Sequence, residues 1–79
     1  MKSIYEISQF TKDRDEALLS LDKEKILAFY AKYGLPYAKI DKVFWATVYK
    51  CIYHIEASTK KQKAEAKHWL LQNGFTTEI

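Results

Sequence analysis

Residues 40–57, IDKVFWATVYKCIYHIEA, constrain the fold more than any other stretch. Set out at about 100° per residue, as a helix requires, they place Phe44, Val48, Cys51, Ile52 and Ile55 in one arc. Trp45, Tyr49 and Tyr53 widen that arc past half the circumference. Lys42, Val43, Thr47, Lys50 and His54 take the remaining side, with Thr47, Lys50 and His54 as a narrow polar stripe. A helix apolar over so much of its surface has to be covered from more than one direction. The pattern therefore predicts an all-α fold, a compact bundle of three to four helices around a central helix near 42–57. Two glycines and one proline leave little material for the turns of a sheet protein.

The flanking segments carry their own punctuation. In residues 1–11, Ile4, Tyr5, Ile7 and Phe10 suit a short helix or a docked arm. Asp13, with Glu16 three residues on, reads as a helix start, followed by about two turns that carry Ala17, Leu18 and Leu21. Asp22 reads as a second cap, flanked by Leu21 and Ile26 at hydrophobic-staple positions. Ile26, Phe29, Tyr30 and Tyr33 then repeat at helical spacing up to Gly34, which suits a left-handed C-terminal cap, and Pro36 stops the helix. Asp41 is the expected cap of the central helix, with Ile40 stapled onto Trp45. Thr59 and Gln62 have the spacing of a capping box for a last helix over 60–73, closed by Gly74 with Phe75 folding back. The predicted organisation is an N-terminal arm or short helix over 1–11, one helical domain over 12–75 and a frayed tail over 76–79.

The runs RDEALLSLDKEKILAFYAKYGLP (14–36) and VFWATVYK (43–50), followed by a helix bearing Trp69 and Leu70 and ending at Gly74, resemble small uncharacterised helical proteins of phages and integrative or mobile elements in Gram-positive, chiefly clostridial, bacteria. In those proteins His often stands where Tyr49 does here, and most of the first eleven residues are lacking. The resemblance implies a bacterial cytoplasmic setting and an accessory role on a mobile element. It implies no catalytic residue.

Little in the chain suggests chemistry. The acids Asp13, Asp15, Glu16, Asp22 and Glu24 stand at predicted helix starts, where capping explains them. Gly34 and Gly74 are isolated, so there is no phosphate loop. Cys51, His54 and His68 fall short of the four closely spaced ligands of a structural zinc site. Neither a cofactor nor an enzymatic activity is expected. No apolar run reaches membrane-spanning length, and a single cysteine suits a reducing cytoplasm.

Two binding readings remain. Tyr33, Tyr37, Tyr49 and Tyr53 add more aromatic surface than so small a domain can bury, and exposed tyrosines suit contact with a protein partner or a second copy. Lys60, Lys61, Lys63 and Lys67 form a basic stripe on the last helix. The net charge of +3 lies entirely in residues 42–79, where six lysines face three acids. Nucleic-acid binding in a helix-turn-helix manner is the alternative. The absence of arginine from the stripe weighs against it, because arginine makes most bidentate base contacts.

Overall fold

A computed structural model describes residues 4–78, the side chains of 4–6 aside. These residues form four helices and no strand: α1 (Ile4–Ser20), α2 (Lys23–Tyr33), α3 (Asp41–His54) and α4 (Lys60–Gln72). The all-α class expected from the hydrophobic periodicity is the class found. The chain divides into two compact units, Met1–Leu35 and Pro36–Ile79. In the first α1 packs on α2, and in the second α3 packs on α4.

In the first unit, the helix start expected at Asp13 does not exist. α1 runs unbroken through that position and takes in residues 4–11, expected as an arm or a short separate helix; residues 1–3 lie outside the described part. Phe10, Asp13 and Ala17 share one face at helical spacing, and that face meets α2. The Phe10 ring lies 5.5 Å from Phe29 and 4.8 Å, edge-on, from Tyr33. Asp13 is occupied by side chains of α1 and α2, so it does not cap backbone amides. The corner to α2 is tight. Leu21 adopts φ 54°, a left-handed conformation unusual for a β-carbon-bearing residue, and its amide donates to the Leu18 carbonyl. Asp22 then caps α2 as its spacing predicts, accepting from the amides of Glu24 and Lys25. Leu21 itself stays exposed instead of closing a staple. Ile26, Phe29 and Tyr30 are buried, and α2 ends at Gly34 with φ 63°. There the Leu35 amide returns to the Tyr30 carbonyl at 2.9 Å.

In the second unit, Phe44, Val48, Ile52 and Ile55 are buried as the arc requires. Ala46, on a different side of α3, is buried too, so the helix is covered from more than one direction. Asp41 is the first residue of α3, not its cap. The cap position falls to Ile40, whose side chain supplies no hydrogen bond and is 69 % exposed, so it makes no staple on Trp45. α3 ends at His54, three residues short of the expected Ala57. The carbonyls left open there find side-chain donors. The buried Ser58 hydroxyl shares its proton between the carbonyls of Ile52 (2.6 Å) and Ile55 (2.8 Å). Lys63, one turn into α4, donates to those of Tyr53 (3.0 Å) and Ile55 (2.5 Å). Two donors therefore end one helix and tie it to the start of the next.

α4 begins with the predicted capping box, Thr59 and Gln62 each bonding the other's amide. It buries Ala66 and Leu70, and after Gly74 the Phe75 amide returns to the Leu70 carbonyl at 2.8 Å. The tail is not simply frayed: His54 Nε2 donates to the Thr77 carbonyl at 2.6 Å. Ile79 lies outside the described residues.

Four substitutions check this account by urea unfolding. Lys63→Met is expected to cost about 1–2 kcal/mol, because carbonyls at the negative end of the α3 dipole lose a charged donor, whereas Lys60→Met and Lys67→Met stay within about 0.5 kcal/mol. Gly34→Ala, where a β-carbon would meet nothing within 4 Å, is expected to cost about 1 kcal/mol from backbone conformation alone.

Candidate protein-binding surface

The four tyrosines singled out by the sequence have different surroundings. Tyr33 is half-buried between α1 and α2, and its hydroxyl donates to Asp13 Oδ2 at 2.5 Å. Tyr49 is half-buried and stacked on Trp69, centroids 4.8 Å apart, and Trp69 in turn stacks on Phe75 at 6.2 Å. Burial, with the Glu65 charge a smaller contributor, raises the Tyr49 phenol above its ordinary value. Tyr53 is half-buried, edge-on to the His54 ring. Tyr37 alone is exposed, at 51 %, although its ring reaches Phe44 edge-on at 6.3 Å. Tyr37, Tyr49 and Tyr53 belong to the second unit and Tyr33 to the first.

Two exposed apolar residues a few positions after Tyr37 were not selected by sequence reasoning. Ile40 caps α3 without a side-chain bond, and Val43, three residues later, is 39 % exposed. Both therefore present aliphatic side chains to solvent at the start of α3. Thr47, exposed on the same side one turn further on, returns its hydroxyl to the Val43 carbonyl at 3.1 Å. The signal was present: Val43 lies off the apolar arc, and an aliphatic residue there has no interior to enter. Lys39 and Lys42, next to Ile40 and Val43 in sequence, are exposed, with Lys42 Nζ 6.0 Å from the Phe75 centroid. Asp41 between them sits in the first turn of α3, where a carboxylate meets the positive end of the helix dipole. The second unit carries seven lysines against four acids, while the first is balanced at six basic and six acidic residues.

The basic stripe is less free than its spacing suggests. Lys60, Lys61 and Lys67 are exposed, but Lys63 is committed to the end of α3. The capping box also uses two of the backbone amides at the start of α4 that an anion would need.

A polar cluster centred on one carboxylate lies in the first unit. Asp13 accepts from Gln9 (2.8 Å), Lys32 (2.9 Å) and Tyr33. The Tyr33 hydroxyl first, then Lys32 and Gln9, lower its carboxyl from the ordinary 3.8 to about 2. The same bond raises the Tyr33 phenol, and Lys32 is raised by its bond to Asp13. An open groove of about 420 Å³ runs beside it, lined by Asp13, Glu16, Lys25 and Lys32 over Ala17 and Phe29. Since Asp13 already holds three donors, the cluster fastens α1 to α2 and presents no vacant base. Among the described residues no three His, Cys, Asp or Glu side chains gather as metal ligands, and no helix is long and apolar enough to cross a membrane.

No protein-family model matches the sequence, and no match emerges among curated proteins or solved structures.

The Asp13 cluster has a pH signature. A carboxyl held at about 2 against 3.8 in the unfolded chain stabilises the fold above pH 3.8, and that contribution disappears as pH falls through about 2. Carboxyl-carbon NMR titration is expected to find Asp13 with a midpoint near 2 in the native chain, rising toward 3.8 in Tyr33→Phe.

Proposed function

We propose that this chain is a non-enzymatic protein-interaction module acting in the cytoplasm, of the kind carried by phages and mobile genetic elements. Its binding surface is centred on Tyr37, Ile40 and Val43. One observation carries the reading: the start of α3 exposes Ile40 at 69 % and Val43 at 39 %, while Phe44, Val48 and Ile52 of the same segment are buried. Aliphatic side chains exposed at a helix start gain free energy only when something apolar covers them. Tyr49, stacked on Trp69, and Tyr53 are half-buried on other sides of α3 and play a smaller part. Tyr33 is held by Asp13 and plays the smallest part.

The second reading, nucleic-acid binding through Lys60, Lys61, Lys63 and Lys67, is favoured by the exposure of Lys60, Lys61 and Lys67 along one helix. It is weakened by the engagement of Lys63 with α3 and by the lack of arginine in the stripe. Contact with phosphates alone also leaves Ile40 and Val43 unexplained.

Ile40→Ser is a clean probe. It removes the most exposed apolar side chain and supplies the cap oxygen that α3 lacks, so the fold is expected to hold or to gain about 0.5–1 kcal/mol. Peptides selected from a displayed random library on the full chain are expected to lose about tenfold or more in affinity for Ile40→Ser/Val43→Ser. Selection that yields no peptide dependent on these residues, together with salt-steep binding of short oligonucleotides that weakens in Lys60→Gln/Lys67→Gln, would favour the second reading instead.

A further inference from the structure

We infer that the corner between α1 and α2 is a hinge, at which the first unit opens into one helix over residues 4–33 and exchanges α1 with a second copy of this chain. The surface at the start of α3 takes no part in it. Leu21 holds φ 54°, a conformation that crowds the β-carbon and costs energy in the closed form. Its side chain is 44 % exposed, so little packing offsets that cost. Leu21 and Asp22 make the whole connection between the helices, and short strained connections favour exchange between copies.

The corner is also built to straighten. Residues 17–26, ALLSLDKEKI, hold no glycine or proline. In the closed form several amides take substitutes for helical bonds. The Leu21 amide reaches the Leu18 carbonyl at 3.3 Å, and the Asp22 amide donates to the Ser20 hydroxyl at 3.1 Å. Those of Glu24 and Lys25 donate to the Asp22 carboxylate. A straight helix gives each of these four amides a carbonyl four residues back, so opening leaves none of them unpaired. At about 100° per residue, Leu21 then falls within roughly 40° of Phe10 and Ala17, on the face that α1 turns to α2.

What opening breaks, a second copy restores. Within the first unit α1 meets α2 through Phe10 on Phe29 and Tyr33, and through Asp13 on Lys32 and Tyr33. Two opened chains related by a two-fold axis remake both sets twice, with α1 of each copy on α2 of the other. Phe10 and Tyr33 stand equally far along the chain from the Leu21–Asp22 corner, so the corners of the two copies, with their exposed leucines, meet near that axis.

The full chain is refolded from urea at low and at high concentration and analysed by sedimentation, with dimer expected from the concentrated sample. Leu21→Gly accepts the left-handed corner without strain and weakens a straight helix. It is expected to lower the dimer fraction about tenfold or more while the monomer still folds. Asp22→Ala removes the α2 cap and is expected to raise that fraction. Asp13→Lys and Lys32→Asp each set like charges against one another within a closed chain. Refolded together, the two variants restore opposite charges only where α1 of one copy lies on α2 of the other, so a heterodimer is expected in severalfold excess over either homodimer. An absence of dimer from the wild-type chain and from Asp22→Ala alike would overturn the inference. So would a dimer that Leu21→Gly leaves intact, which marks side-by-side association, or co-refolded charge variants that show no preference for each other.

Discussion

The second unit depends on how the C-terminal end of α3 is closed. A helix apolar on several sides cannot simply run out into solvent, and its last carbonyls need donors wherever it stops. Here a buried serine hydroxyl and a lysine amine provide them, and the lysine comes from the first turns of α4. The bond that terminates one helix therefore also sets where the next begins. Thr59 and Gln62, between Ser58 and Lys63, close the other helix end within the same few residues. Packing of Phe44, Val48, Ile52, Ala66 and Leu70 then follows from two helices already held in register at one end.

Much of the architecture was legible because its signals are local. The α2 boundaries, the Asp22 cap, the Gly34 and Gly74 terminators and the Thr59–Gln62 box depend on side chains and backbone within a few residues of one another. The errors share a cause. Asp13 has the composition of a cap, but a partner twenty residues away in sequence claims it, and no spacing rule within one helix reveals Tyr33 as that partner. Lys63 has the spacing of a solvated stripe, but it answers a carbonyl need created by the early end of α3. The helix stop at His54 was itself hidden, because Ile55, Glu56 and Ala57 carry no glycine or proline and continue the apolar pattern.

The candidate surface was half legible. Counting aromatics showed that some would reach solvent, and Tyr37 does. The count could not say which tyrosines would find ring partners, and Tyr49 lies stacked on Trp69. Ile40 and Val43 escaped notice because an isoleucine beside an aspartate looks like a staple and a valine in an apolar helix looks like core. Their exposure follows from where α3 begins: Ile40, left at the cap position, stays outside the helix, and Val43 faces away from the buried arc.

The distribution of indoles has a practical corollary. Trp45 and Trp69 both lie in the second unit, and Trp69 is stacked against Tyr49 from the neighbouring helix. Selective excitation of tryptophan therefore reads out the pairing of α3 with α4 and is blind to α1 and α2, whose aromatic residues are phenylalanines and tyrosines. Comparing that emission with the far-ultraviolet signal of all four helices gives an internal optical gauge of whether the halves melt together or apart.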